Sequence, residues 1–164
     1  MTSFLYRALA NLAVPLVPIA LRDPRQRQAH AARLGAPARL ATWAAAHRDP
    51  TRPLVWCHAP SVGEGQQARS VLRALRALRP DLQVAYTHFS PSAERFAQSV
   101  GADVTDYLPY DCVADTSAVL AALRPDLLVF AKLDVWPELV AQAVSRQVPC
   151  ALVAGTVLPD SGRL

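Results

Sequence analysis

Short apolar runs alternate with amphipathic segments along residues 54–154 of this 164-residue chain. Each run has the length of a strand that is buried on both faces, and the five lie at 54–58, 83–87, 103–107, 126–131 and 148–154. Between them, apolar residues recur at helical spacing at 64–79, 92–99, 112–123 and 136–146. Strands that alternate with helices predict an α/β fold, here a Rossmann-like parallel sheet with helices on both faces and right-handed crossovers.

The N-terminal segment has a different pattern. Residues 4–21 are mostly apolar, with interruptions at Arg7 and Asn11 and with Pro15 and Pro18 near the end. As one helix they would be about 27 Å long, just short of a bilayer hydrocarbon core of about 30 Å. Arginines follow at positions 22, 25, 27, 33 and 39. We interpret residues 1–22 as a membrane anchor or interfacial helix with its basic flank on the cytoplasmic side, the alternative being an amphipathic helix packed on the domain.

Prolines and a glycine punctuate the stretch before the first strand. Residues 35–53 contain Gly35, Pro37, Pro50 and Pro53 around an alanine-rich segment, a pattern typical of a connector with a short helix. Three parts are therefore expected, namely the membrane-associated segment 1–22, a basic connector 23–53 and a Rossmann-like domain 54–164.

Basic charge is concentrated near the N-terminus. Residues 1–52 contain eight arginines and two acids, whereas residues 53–164 contain nine basic and eleven acidic side chains. This distribution favours an anionic surface near the N-terminal segment and disfavours nucleic acid as a partner, because the domain itself has no basic excess. Three cysteines without CxxC spacing indicate a reduced, cytoplasmic domain. No metal site is predicted, because His58 and His88 lack a third ligand in sequence.

Polar residues gather where the predicted strands end. Ligands of parallel sheets bind beyond the carboxyl ends of the strands, so we expect the substrate contacts there. The candidates for substrate contacts are His58, Ser61, Gly63, Thr87, Ser90, Tyr110, Asp111, Lys132 and Asp134, and Glu64 is the candidate catalytic residue. The chain lacks the GxGxxG, GxxxxGKS/T and GxSxG motifs, which disfavours dinucleotide binding, ATP hydrolysis and α/β-hydrolase chemistry. No cofactor is predicted.

Glu64 has two roles that the residues alone leave open. An acid in the first turn of a helix stabilises the helix dipole by about 0.3–1 kcal/mol. A carboxylate at a strand-end crevice can instead act as a general base on a substrate hydroxyl. His58 is likewise either a hydrogen-bonded histidine at a strand end or a catalytic group, and Trp136-Pro137 either starts a helix or stacks on a substrate.

Several segments, taken in order, resemble the N-terminal domain of the 3-deoxy-D-manno-octulosonic acid (Kdo) transferases of lipopolysaccharide synthesis. They include the apolar N-terminal segment, Arg33-Leu34-Gly35, residues 56–64, 87–91, 107–111, 124–126 and 136–137, and the fifth strand. Ser61-Val62-Gly63-Glu64 and Leu108-Pro109-Tyr110-Asp111 are the most specific of these motifs.

This resemblance implies a two-domain glycosyltransferase of the B fold at the cytoplasmic face of the cell inner membrane. The N-terminal domain would receive a lipid A precursor as acceptor, and the C-terminal domain would bind the donor CMP-Kdo. The family's glutamate in the first motif is the base on the acceptor hydroxyl, and it maps onto Glu64.

Two features depart from the family pattern. The Glu-x-Glu that commonly precedes Trp-Pro is Lys132-Leu133-Asp134 here, so a cation replaces a carboxylate. The chain also stops at Leu164, about where the donor domain is expected to begin. The alternatives are therefore a non-catalytic, membrane-associated module that binds a glycolipid, or an inactive truncated fragment.

Overall fold

The computed structural model describes residues 4–17 and 21–156. Its strands are β1 (Leu54–His58), β2 (Gln83–His88), β3 (Val104–Tyr107), β4 (Leu127–Ala131) and β5 (Cys150–Val153). The helices in those ranges are α1 (Phe4–Ala13), α2 (Pro24–His47), α3 (Val62–Leu78), α4 (Glu94–Ala97), α5 (Val113–Leu123) and α6 (Pro137–Ser145), with 3-10 turns at Val14–Leu16 and Pro91–Ala93.

The strands form one parallel sheet in the order β3-β2-β1-β4-β5. β1 is central, and its Cys57 pairs with Tyr86 of β2 on one side and with Val129 of β4 on the other. The chain reverses its direction of travel across the sheet at β1, and such a switch point opens a ligand crevice at the carboxyl ends of the strands. The predicted Rossmann-like sheet is confirmed, and each strand boundary lies within two residues of its expected position.

Both faces of the sheet are buried, which explains why its strands are continuous apolar runs. Trp56 and Phe130 point to one face, where Leu40 of α2, Leu120 of α5 and Leu139 of α6 cover them. The residues that alternate with them point to the other face and pack against α3 and α4, and they are Val55, Cys57, Tyr86, Val129 and Ala131. The polar residues of the sheet therefore lie near the ends of the strands and in the loops that follow them.

Helix α2 is longer than expected. The short helix predicted within residues 35–53 is instead the second half of a 24-residue helix that continues through Gly35 and Pro37. Asp23 caps its start by accepting a hydrogen bond from the amide of Arg25 at 2.8 Å. A proline inside a helix removes one backbone hydrogen bond, but the buried stripe formed by His30, Arg33, Ala36, Leu40 and Ala44 holds this helix against the domain.

Helix α1 contacts the domain through its polar side. The Tyr6 hydroxyl donates to Asp111 at 2.5 Å, and Arg7 pairs with the buried Glu138 at 2.8 Å. Its leucines, together with one in the following turn, form a row that is 58–66 % exposed and comprises Leu5, Leu9, Leu12 and Leu16. In residues 4–17 and 21–156, no helix is both long and apolar enough to cross a membrane. The predicted membrane segment 1–22 also includes residues outside the described ranges.

Gly65, at the start of α3, lies in tight contact with α4 and β2. A Cβ atom at this position would be 2.5 Å from Cε1 of Phe96 and 2.8 Å from the hydroxyl oxygen of Tyr86, which is fully buried. Such distances force one of the neighbours to move. A Cβ atom at Gly63, two residues earlier, would meet no atom closer than the Ser61 hydroxyl oxygen, at 3.8 Å.

We therefore expect Gly65→Ala to lower the free energy of unfolding by about 1–3 kcal/mol, as overpacked cores do. Gly63→Ala is the matched control, and it should be neutral or stabilising by up to about 1 kcal/mol because the unfolded chain loses entropy. Urea unfolding of the two variants measures both effects. Equal stability of the two variants would contradict the close packing at Gly65.

Candidate functional site

An open cleft of about 420 Å³ lies at the carboxyl ends of β1, β4 and β5. Glu64 of α3 forms one side, and Lys132 and Asp134 of the loop after β4 form the other. Its remaining lining residues are Pro60, Leu133, Ala154 and Thr156. The cleft adjoins the switch point between β1 and β4, where the fold is expected to bind ligands.

Glu64 lies in the first turn of α3 and is held by two neighbours. The hydroxyl of Ser61, the residue that precedes the helix, donates to Oε2 of Glu64. The ammonium of Lys132 lies 3.3 Å from Oε1 of the same carboxylate. The hydrogen bond from Ser61, and secondarily the charge of Lys132, hold the pKa of Glu64 below its usual range. Glu64 is therefore an ionised, partly exposed acceptor at neutral pH.

Lys132 reaches Glu64 from an unusual backbone position. It directly follows β4 with a φ of 58°, and its amide donates to the carbonyl of Val153 at 2.8 Å. Ala154, which directly follows β5, also has a positive φ, of 54°. Left-handed backbone costs a non-glycine residue about 1–2 kcal/mol. Both strained positions line the cleft, and strain of this kind concentrates at functional sites.

Asp134 is oriented by a buried chain of hydrogen bonds. His58, which is fully buried, places Nε2 2.9 Å from Oδ2 of Asp134 and Nδ1 3.1 Å from the Thr87 hydroxyl. The indoles of Trp136 and Trp56 donate to Asp134 Oδ2 and to the Thr87 hydroxyl, each at 3.0 Å. Burial lowers the pKa of His58. The Asp134 carboxylate can only accept, so we assign a proton to Nε2. Nδ1 lies 3.0 Å from the Thr87 carbonyl oxygen as well as close to the Thr87 hydroxyl.

This network has a clear consequence for the cleft. The hydrogen bond from His58, followed by that from Trp136, lowers the pKa of Asp134. Both of these donors bind Oδ2, and the side chain of Asp134 remains 36 % exposed on the cleft wall. His58 and Thr87 thus lie beneath the cleft and fix Asp134 from behind, which is a positioning role.

The other predicted residues divide into two groups. Ser61 and Gly63 flank Glu64 at the start of α3. Ser90 is bonded to the Ser92 hydroxyl at 2.8 Å and does not line the cleft. Tyr110 lines a different cavity, and its hydroxyl lies 2.5 Å from Nδ1 of His30.

Asp111 belongs to the frame of the fold. Its two oxygens accept the amides of Glu138 and Leu139 at 2.9 and 2.8 Å, which caps the N-terminus of α6, and one also accepts the Tyr6 hydroxyl. The structure therefore brings Ser61, Glu64, Lys132 and Asp134 together and places Tyr110 and Asp111 elsewhere.

Sequence reasoning missed two features of this region. Leu133 and Ala154 line the cleft, but their side chains carry no chemical signal that a pattern could reveal. Arg33 was recognised only as part of a motif, yet it is buried and joins the loops after β3 and β4. The sequence signal that could have revealed this role is the position of Arg33, at helical spacing from Ala36 and Leu40 on the buried side of α2.

Residues 28–163 match the model of a protein family described as 3-deoxy-D-manno-octulosonic-acid transferase (kdotransferase). The chain belongs to this Kdo transferase family. The 3-deoxy-D-manno-octulosonic acid transferase of Bordetella pertussis is 34 % identical over 163 residues, which cover 95 % of this chain and 37 % of that protein. The enzyme of the same name from Haemophilus influenzae is 28 % identical over 156 residues, or 91 % of this chain and 35 % of its own length.

A plant relative shows the same coverage. The probable mitochondrial 3-deoxy-D-manno-octulosonic acid transferase of Arabidopsis thaliana is 29 % identical over 156 residues, 91 % of this chain and 33 % of that protein. The chain therefore spans about a third of the length of these Kdo transferases. The predicted resemblance to the family's N-terminal domain is confirmed.

The geometry of Glu64 predicts how its titration responds to mutation. Ser61→Ala and Lys132→Met should each raise the pKa of Glu64, with the larger rise in Ser61→Ala because the hydroxyl is the stronger influence. In the unmutated chain, this pairing stabilises the fold above the unfolded-state pKa of Glu64, and the stabilisation is lost as the pH falls through the folded-state pKa.

Carbon-13 NMR of the Glu64 carboxyl, followed across a pH titration, measures the shift. Arg73→Met is the control, because it removes an exposed cation from the same helix. A Glu64 pKa that stays the same in Lys132→Met would show that the ion pair does not form in solution.

Proposed function

We propose that this chain is the acceptor-binding domain of a Kdo transferase, which transfers Kdo from CMP-Kdo to a lipid A precursor. The observation that carries the proposal is an ionised glutamate, Glu64, in an open cleft at the carboxyl edge of the sheet of a Kdo transferase family member. The donor CMP-Kdo would be bound by a second domain of the full-length protein, facing this cleft.

The chemistry assigned to Glu64 is general-base catalysis. One carboxylate oxygen accepts the proton of an acceptor hydroxyl, and the hydroxyl oxygen attacks the anomeric carbon of Kdo. The bond from that carbon to the phosphate oxygen of the donor breaks, and CMP leaves with the electron pair. The acceptor hydroxyl takes the place on the Glu64 carboxylate that Ser61 or Lys132 occupies in this structure.

Lys132 gives this cleft a distinct electrostatic balance. Its ammonium keeps Glu64 ionised but also weakens it as a base. The Lys132 side chain is 49 % exposed, so an anionic group on the acceptor, such as a phosphate, can pair with it. Drawing the ammonium away from Glu64 restores the basicity of the carboxylate at the moment when the acceptor is bound.

Glu64→Gln in the full-length gene product should lower kcat about 10²–10⁴-fold, since the amide cannot accept the proton. Acceptor affinity should change little, because the shape of the side chain is kept. Transfer of Kdo from CMP-Kdo to a lipid A precursor is the assay, and Glu94→Gln, a change at an acid on α4, is the control.

If Glu64→Gln left turnover unchanged, the proposed role of Glu64 as general base would be wrong. If the unmutated protein binds the lipid A precursor but transfers nothing, the second candidate function holds, namely a non-catalytic module that binds a glycolipid. The observation that favours this alternative is the ion pair of Glu64 with Lys132, which occupies the base.

We further propose that α1 lies in the interface of the inner membrane at its cytoplasmic face. The support is the exposed leucine row of α1, opposite the side on which Arg7 contacts the domain, and the exposed arginines 22, 25 and 27 that follow. An apolar stripe inserts among acyl chains, and the arginines pair with anionic lipid headgroups.

The double variant Leu9→Gln/Leu12→Gln should weaken binding to vesicles that contain phosphatidylglycerol by at least about tenfold, since two buried apolar side chains are lost. Leu78→Gln is the matched control, because Leu78 is 78 % exposed at the far end of α3. Vesicle co-sedimentation measures the affinity, and equal loss in the control variant would contradict a specific role for α1.

A further inference from the structure

Arg33 is a buried cation without an ion pair. It lies in the buried stripe of α2 with 7 % of its surface exposed. Nε donates to the carbonyl of Leu108 at 2.9 Å, and Nη2 donates to the carbonyl of Pro109 at 3.1 Å. No carboxylate in residues 4–17 and 21–156 forms an ion pair with it, and Nη1 has no hydrogen-bond partner there.

Aromatic rings surround the guanidinium. Its carbon lies 4.1 Å from the ring centre of Tyr110, 4.7 Å from that of Phe89 and 5.4 Å from that of Trp136. Burial lowers the pKa of Arg33, but a guanidinium stays charged in proteins. Ring faces attract a cation without neutralising it, so a full positive charge remains in a water-poor environment.

The nearest carboxylates are already engaged. Asp111 accepts two amides of α6 and the Tyr6 hydroxyl, and Asp134 accepts His58 and Trp136. Asp115, at the start of α5, raises the pKa of Arg33 by less than Asp111 does and by more than Asp134 does, without forming an ion pair with it. A buried charge costs free energy unless it is paired, so this arrangement favours an external anion.

A mostly apolar cavity opens beside Arg33. Its volume is about 340 Å³, and it lies between the first turns of α2 and the loops after β2 and β3. Ala29, His30, Phe89, Pro91 and Tyr110 are among its walls, and within residues 4–17 and 21–156 Arg33 is the only arginine or lysine that lines it. In the part of the chain that the structure describes, the cavity shares no lining residue with the Glu64 cleft.

We propose that this cavity binds a small anionic amphiphile, with its phosphate or carboxylate on Nη1 of Arg33 and its alkyl chain against the apolar walls. The site is separate from the glycosyl-transfer cleft. An anion without an alkyl chain would leave the apolar walls hydrated, and an uncharged alkyl chain would leave the guanidinium unpaired. Both parts of the ligand are therefore needed for tight binding.

Calorimetry of this chain with octyl phosphate and octanoate, each below its micelle concentration, tests the proposal. At least one should bind as a single molecule per chain. Inorganic phosphate and octanol should each bind at least about tenfold more weakly than that amphiphile. If inorganic phosphate bound as tightly as the amphiphile, the apolar cavity would have no part in binding. If octanol bound as tightly, Arg33 would have no part in it.

Two variants locate the site. Arg33→Met should reduce the affinity by at least about tenfold. Ala29→Leu should do the same by filling the cavity while leaving Arg33 and its carbonyl contacts in place, so it decides the question if Arg33→Met fails to fold. Ala38→Leu, on the exposed side of the same helix, is the matched control and should bind normally.

The indole N–H of Trp136 reports on the ligand directly, because Arg33 lies over its ring. Its nitrogen-15 NMR signal should shift with octyl phosphate in the unmutated chain and in Ala38→Leu, and stay still in Ala29→Leu. Binding that survives in Ala29→Leu, or a Trp136 signal that never moves with any ligand, would overturn the proposal.

Discussion

The positions of the helices and of the site loops depend on a parallel sheet that is buried on both faces. Its strands present apolar side chains to α2, α5 and α6 on one side and to α3 and α4 on the other. Backbone hydrogen bonds are satisfied between neighbouring strands, so most side chains in the two layers are apolar. The strands also share one direction, so their carboxyl ends meet at a single edge. The cleft with Glu64, Lys132 and Asp134 lies at this edge.

Loops at that edge need partners, because isolated polar groups are costly to bury. Asp111 caps α6, and His58 holds Asp134 from beneath the cleft. Arg33 fastens the loop after β3 through two carbonyls and stacks against rings from the loops after β2 and β4. The same contacts place Trp136 between the two regions, since its indole bonds Asp134 while its ring faces Arg33. Side chains such as Trp136 therefore both stabilise the loops and orient residues of the cleft.

The cleft itself combines opposing demands on Glu64. Ser61 and Lys132 keep the carboxylate ionised and oriented, which suits an acceptor of protons, but they also reduce its basicity. The strained backbone of Lys132 is tied to the end of β5 by a hydrogen bond from its amide to the carbonyl of Val153. The position of Lys132 therefore depends on the sheet order, and the properties of Glu64 depend on Lys132.

The sequence by itself determined the alternation of strands and helices, the α/β class and the place of Glu64 at the start of a helix. These features follow from local periodicity and from turn residues, which act over a few positions of the chain. It also identified the family, because short motifs such as residues 61–64 and 108–111 are local as well.

Only the tertiary structure decided which of the candidate residues meet. His58 and Asp134 are 76 positions apart, and Tyr6 and Asp111 are 105 apart, so their pairing depends on strand order and on the paths of the loops. The length of α2 was also decided by packing, because the burial of Leu40 and Ala44 overrides the local signals of Gly35 and Pro37. A pattern records what each segment prefers, whereas contacts between distant segments are selected by the free energy of the whole fold.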